Sequence, residues 1–212
     1  MPTLGIEDLM ARPSTDRSRT VCFTGPRPKK LCGYDHGSYR GAVAELTGLV
    51  EALYREGYRH FLTGGAQGFD QLAFWAIHKA RRQMGCPDLS NSVAVPFVGQ
   101  EARWAEEGCF GQGEYRTMLA VADRVFVVGE ATGRWGAAMH RRNRAMVDAS
   151  TLCVALYSGG PAFRDAGAGG TEATMRYAEA AGVPLMVLGY RIVPGVPPTL
   201  AIDAPEGGRT SR

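Results

Sequence analysis

The 212-residue sequence predicts an α/β fold built on a mostly parallel sheet of about six strands. Two observations carry this prediction. Short runs rich in β-branched or apolar residues alternate with segments whose apolar residues recur at helical spacing, and glycine-bearing turns join several of them. The predicted strands are TVCFT (20–24), HFLT (60–63), SVAVPF (92–97), RVFVV (124–128), TLCVALY (151–157) and PLMVLG (184–189).

Helices are predicted between these strands. The first carries an apolar stripe from Ala42 to Leu53, and the second spans about Gly68 to Arg82, each with charged residues outside the stripe. Gly57 and Gly85 stand where C-terminal helix caps belong. Later helices are predicted over 114–121, 139–149 and 171–181.

Composition favours one globular domain. Hydrophobic residues make up 45% and charged residues 21%, and a chain of this length buries most of its apolar surface without disulfides or metals. The segment before residue 20 lacks periodic apolar positions, and the last stretch, VPGVPPTLAIDAPEGGRTSR (193–212), is rich in proline and glycine. We therefore expect a domain over 20–190 between flexible tails at 1–19 and 191–212.

Charge and cysteine usage narrow the class of protein. The net charge of +3 is too mild to argue for nucleic-acid binding by itself. The five cysteines form no CxxC pair, so we expect reduced thiols in a cytoplasmic protein. There is no signal-peptide pattern and no apolar run approaching about 18 residues, so no membrane partner is predicted.

Three glycine-bearing turns follow strands and open helices: TGPRP at 24–28, TGGAQGFD at 63–70 and GAGGTEAT at 167–174. In a parallel sheet the carboxyl ends of the strands meet at one edge, so all three turns can face one crevice. Their N–H groups suit phosphate, although any single glycine can equally serve only to form a tight turn. The binding candidates on these turns are Thr24, Gly25, Arg27, Gly64, Gly65, Asp70, Gly170 and Thr171.

These turns, together with PFVGQEARW (96–104), RRNRAMVDAS (141–150) and GGTEATMRYA (169–178), resemble in order and spacing the SMF/DprA/LOG (SLOG) superfamily, specifically its YpsA-like branch. The resemblance extends from about residue 20 to 188. It implies a Rossmann-like three-layer sandwich that binds a nucleotide or an ADP-ribose-like molecule and requires no cofactor. It also implies a possible homodimer.

Two segments resemble the LOG phosphoribohydrolases more closely. Within MHRRNRAMVDAS, Arg142 falls on their arginine and Asn143 on their lysine, while Gly170 and Thr171 match their GGxGT turn. Arg142 is therefore a candidate to contact phosphate or ribose, with a solvated helix residue as the alternative.

The acidic pair of those enzymes is displaced in this sequence. It falls on Ala173 and Thr174, and the nearby acid, Glu172, comes one residue earlier, which turns a side chain by about 100° around a helix. If the protein cleaves an N-glycosidic bond, Arg142 and Glu172 are the catalytic candidates.

Two further side chains have alternative roles. Asp70 can bind ribose hydroxyls or cap its helix, and Trp104 can stack on a base or pack against the protein as part of a lid. No metal site is predicted, because His36, His60, His78 and His140 show no metal-ligand spacing.

The sequence thus predicts a protein that binds a nucleotide or nucleotide-derived small molecule at the carboxyl edge of its sheet, as a sensor or sequestering module. The alternative is a nucleotide N-glycosidic hydrolase. Single-stranded DNA binding ranks last, because the basic surplus is small and aromatic residues make up only 9%.

Overall fold

The computed structural model describes residues 4–5, 16–130, 135–164 and 169–203. The strands are β1 Leu4–Gly5, β2 Thr20–Thr24, β3 His60–Thr63, β4 Ser90–Val95, β5 Arg124–Val127, β6 Leu152–Leu156, β7 Leu185–Leu188, β8 Tyr190–Val193 and β9 Thr199–Ile202. The α-helices are α1 Arg40–Arg55, α2 Phe69–Met84, α3 Gln112–Val121, α4 Trp135–Asp148 and α5 Gly170–Ala180.

The central sheet is parallel throughout, with the strand order β1-β5-β4-β3-β2-β6-β7. Six of its strands are those predicted from the sequence, and the short β1 adds a seventh at one edge. The chain moves outward from β2 to β5 and then returns to the other side of β2 as β6. Open sheets of this kind bind ligands where the strand order reverses, which here is between β2 and β6.

Helices cover both faces of the sheet, which confirms the predicted three-layer α/β architecture. On one face, α1 and α2 bury the inward residues of β2, β3 and β6, among them Phe23, Phe61 and Val154. On the other face, Met146 of α4 and Ala178 of α5 pack with Cys22. All five cysteines are free.

The chain beyond residue 190 differs from the predicted tail. Strands β8 and β9 form an antiparallel hairpin, and Leu200 is only 2% exposed in the core that includes α1. The backbone N–H of Ile202 also donates to the Glu45 carboxylate on α1, at 2.8 Å. The proline- and glycine-rich composition of this stretch concealed the hairpin because its two strands have only four residues each and flank the segment PGVPP (194–198).

The amino-terminal segment also contains ordered structure where a tail was predicted. Leu4–Gly5 pairs with β5, and Arg17–Arg19 forms a 3₁₀ turn whose Asp16 cap accepts from the backbone N–H of Ser18. The rest of that segment, residues 204–212 and the start of the third glycine turn at 167–168 lie outside the described residues. Within the described ranges, no helix is both long and apolar enough to span a bilayer.

Candidate functional site

The first two glycine turns pack directly against each other at the carboxyl ends of β2 and β3. A Cβ on Gly25 would lie 2.5 Å from Cγ of Phe69, so only glycine allows this approach. The Phe69 N–H donates to the Pro26 carbonyl at 3.2 Å, and Gly68 has a φ of +90°. Thr24, at the end of β2, is 7% exposed. The two turns therefore form one wall of a single site.

Arg142 and Asp70 form a buried ion pair beneath the second turn. Nη1 of Arg142 donates to Oδ2 of Asp70 at 2.9 Å, and the two side chains are 4% and 7% exposed. The same oxygen accepts from the Ala66 N–H at 3.2 Å. A Cβ on Gly64 would overlap Nη1 of Arg142, so this end of the guanidinium lies directly against the turn. The pair therefore holds the turn from within.

The Arg142 guanidinium keeps donors to spare. Besides Asp70 it contacts two thioethers, with Met146 Sδ at 3.7 Å and Met139 Sδ at 3.8 Å. Among the described residues its Nε has no hydrogen-bond partner, nor does Oγ1 of the buried Thr63, which precedes Gly64. Buried polar atoms normally have partners, so these two atoms are candidates for contact with a bound polar group.

Arg27 is the second cation of the site. Its Nη2 reaches the same Met139 sulfur at 4.0 Å, which places the two guanidinium groups on either side of one thioether. The Arg27 side chain stays accessible to solvent, yet the protein atoms around it lower its pKa. The Asp70 carboxylate raises this pKa and so opposes the shift, whereas the positive charge of Arg142 lowers the pKa further. The Asp70 carboxylate thus forms its ion pair with Arg142 and acts on Arg27 through its charge.

The start of α5 forms the other wall. Asn143 of α4 donates to Oγ1 of Thr174 at 2.7 Å and to the Gly170 carbonyl at 3.4 Å, so it fixes the helix start. The Glu172 side chain is 12% exposed and folds back over Gly169, and Lys30 lies 3.5 Å from its carboxylate. Thr171 is 9% exposed. Because Lys30 follows β2 and Glu172 follows β6, their ion pair bridges the point where the strand order reverses.

Gly65 and Trp104 contact the protein core. Gly65 has a φ of +64°, and a Cβ there would lie 2.9 Å from Val93 Cγ1 and 3.3 Å from Tyr115 Cε2. The Trp104 ring packs edge-on against the Tyr115 ring with centroids 5.0 Å apart. Trp104 therefore makes a packing contact with Tyr115, which corresponds to one of the two roles considered for it.

Sequence inspection missed two functional candidates at this edge. Trp135 begins α4 and packs on Phe97, with ring centroids 5.3 Å apart, while the Arg103 guanidinium lies 4.4 Å from the Trp135 ring centroid. Lys30 was the other omission. An aromatic residue at a helix start, and lysines directly after TGPRP, were signals in the sequence that could have identified them.

Comparisons with known proteins agree with this architecture. A model of the YspA SLOG family matches residues 21–190. The SPbeta prophage-derived protein YoqJ of Bacillus subtilis, described as uncharacterized, is 34% identical over 124 residues, which is 54% of this chain and 70% of YoqJ.

A solved structure shares the fold. The X-ray structure of DNA processing protein A (DprA) from Streptococcus pneumoniae superposes with a TM-score of 0.50 at 15% identity, over 91% of this chain and 54% of that one. This chain thus spans about half the length of DprA, and the likeness concerns the fold alone. Because the family model covers most of the sequence, the protein belongs to the YspA SLOG family, the YpsA-like branch of the SLOG superfamily.

Proposed function

We propose that this protein binds the phosphate groups of a nucleotide, or of an ADP-ribose-like molecule, at the carboxyl edge of its sheet, as a sensor or sequestering module. Family membership supports a nucleotide-related binding or modifying role. The observation that carries the proposal is the presence of two arginines, Arg27 and Arg142, beside the glycine turns, where only Arg142 forms an ion pair with the Asp70 carboxylate.

Charge balance at this pair supports an anion. Asp70 neutralises the Arg142 guanidinium, so the Arg27 guanidinium keeps its positive charge available for an oxyanion. Guanidinium groups match phosphate oxygens with a rigid fork of donors. Arg27 is accessible and can contact the ligand directly, whereas Arg142 is buried and supplies positive charge from below. A phosphate above the turn would then lie between them.

The position of the helices adds to this attraction. α2 begins at Phe69, directly after the second turn, and α5 begins at Gly170 on the other wall. The first N–H groups of a helix lack intrahelical partners and carry partial positive charge. Both helix starts therefore add positive potential at the carboxyl edge of the sheet.

A thermal-shift screen tests the proposal. We expect ADP-ribose, NAD, a cyclic nucleotide or a nucleoside monophosphate to raise the melting temperature at millimolar concentration, because a ligand that binds only the folded state stabilises it by mass action. Arg27→Gln should weaken that ligand by about 10–100-fold, the value of one charge-assisted hydrogen bond.

The matched control is Arg55→Gln. Arg55 lies in the last turn of α1, where it pairs with Glu51 one turn earlier on the same helix, and its substitution should leave the ligand-induced shift unchanged. If none of these nucleotides stabilises the wild-type protein, or if both variants respond alike, the proposal fails.

Hydrolysis of the nucleotide is the second candidate, and the position of Glu172 favours it. The carboxylate is nearly buried, and Lys30 ties it to the loop that carries Arg27. Such a carboxylate could activate water or stabilise positive charge that develops on the ribose. Glu172→Gln should then abolish release of the free base, followed by chromatography, while calorimetric binding persists. Equal base release by both proteins would remove Glu172 from the reaction.

A further inference from the structure

Three side chains that can ligate a metal, from two segments of the chain, meet beside the second glycine turn. They are His36, which precedes α1, Cys109, which precedes α3, and Glu114 in the first turn of α3. One ligand atom from each lies within 4.8 Å of the other two. Nε2 of His36 is 3.2 Å from Oε1 of Glu114.

The surrounding backbone holds this cluster in place. Oε2 of Glu114 accepts from the Phe110 N–H at 2.6 Å, so the other carboxylate oxygen remains for His36. Phe110 has a φ of +62°, a left-handed conformation that is unusual for an aromatic residue. Gln67 donates to the Phe110 carbonyl at 2.9 Å, and the Tyr39 ring packs edge-on against the Phe110 ring. Strained residues held this firmly concentrate at functional sites.

The electrostatics of the cluster favour a cation. The carboxylates of Glu114 and Asp35 both act on the Cys109 sulfur, so negative charge collects around the three donor atoms. A divalent metal offsets that charge, and the thiol proton is released to solvent as the metal–sulfur bond forms.

We propose that His36, Cys109 and Glu114 bind a divalent transition metal of the zinc type. The mixed nitrogen, sulfur and oxygen donors suit Zn²⁺, whereas Ca²⁺ and Mg²⁺ require oxygen ligands. Tetrahedral zinc with bonds of about 2.0–2.3 Å would bring the ligand atoms to about 3.5 Å from one another. The His36 side chain is 62% exposed, so it can rotate to close the site and leaves a path for the ion. Three protein ligands leave a fourth position for water or a small ligand.

The first test is a Zn²⁺ titration of the purified protein, previously dialysed against a chelator, in competition with a chromophoric chelator. We expect one equivalent of Zn²⁺ per chain. His36→Gln and Cys109→Ser should each weaken binding by at least about 100-fold, because even the loss of an outer-shell partner costs about 10–100-fold. Cys86→Ser is the matched control, since Cys86 lies outside the cluster, and it should bind as the wild type does.

The second test is the absorption spectrum of the Co²⁺-loaded protein. A cobalt–thiolate bond gives a near-ultraviolet charge-transfer band, which should be present in the wild type and in Cys86→Ser and absent in Cys109→Ser. His36→Gln keeps the experiment decisive if Cys109→Ser folds poorly, because His36 is exposed. The proposal is overturned if His36→Gln binds Zn²⁺ as tightly as the wild type, or if the wild-type Co²⁺ spectrum lacks the thiolate band.

Discussion

Gly64→Ala should disrupt the site from within. The new Cβ would overlap Nη1 of Arg142 and lie 2.5 Å from Oδ2 of Asp70, where contacts below 3.0 Å are essentially never seen. The guanidinium must therefore leave the 2.9 Å ion pair that it makes with Asp70. Breaking a buried ion pair costs about 3–5 kcal/mol. For a chain of this size, that corresponds to a fall in melting temperature of about 10 °C.

Differential scanning calorimetry of three proteins tests this reasoning: the wild type, Gly64→Ala and Gly48→Ala. Gly48 lies within α1 with nothing within 4 Å of an added Cβ, so its substitution should stabilise the helix by about 0.5–1 kcal/mol. Gly64→Ala should melt far lower and also bind nucleotide more weakly. If Gly64→Ala melts within about 2 °C of the wild type, Arg142 does not lie against the turn as described.

Three further predictions concern the turn, the hairpin and acid stability. Gly65→Ala should lower the free energy of unfolding by on the order of 1–2 kcal/mol, because Gly65 has a positive φ. Calorimetry should show nearly unchanged nucleotide affinity, and lost affinity at an unchanged melting temperature would contradict this prediction. Leu200→Ala should cost about 2–5 kcal/mol in urea unfolding, whereas a loose tail would show no effect. Burial lowers the pKa of His60 in the folded protein below its ordinary 6.5. As the pH drops below 6.5 the unfolded chain therefore takes up this proton before the folded protein does, and the free energy of unfolding falls. His60→Gln should reduce the difference between the free energies of unfolding that urea gives at pH 5.5 and at pH 7.5. An unchanged difference would show that His60 does not cause the loss of stability in acid.

The central sheet was predictable from sequence because its inner strands, such as β2 and β6, are fully buried. Such strands appear as continuous apolar runs, as TLCVALY does, and their alternation with amphipathic helices indicates parallel pairing but not the strand order. The hairpin of β8 and β9 was missed because it lies at the surface and buries little beyond Leu200. Its tertiary contact with α1 stabilises strands that local composition does not indicate.

The candidate site was predictable in its location but less so in its contacts. The glycines indicated where backbone segments approach each other, yet the sequence did not show that Gly25 faces Phe69 or that Gly64 faces Arg142. Trp104 was an ambiguous aromatic whose neighbour, Tyr115, becomes evident only in three dimensions.

The cluster around Cys109 shows the same limit. Its histidine, His36, is 73 positions away in the chain, so no spacing rule connects the two residues, and the prediction of no metal site considered spacing alone. The fold brings them together because the loops after β2 and β4 meet at one edge of the sheet.

The central claim, that nucleotide phosphates bind between the two arginines at the glycine turns, is tested most directly by a crystal structure. The protein should be crystallised with the nucleotide that gives the largest thermal shift. We predict a phosphate oxygen within about 3 Å of the Arg27 guanidinium and of a backbone N–H in the 63–70 turn. A well-ordered nucleotide bound elsewhere, with the Arg27 guanidinium and that turn free of phosphate, would contradict the claim.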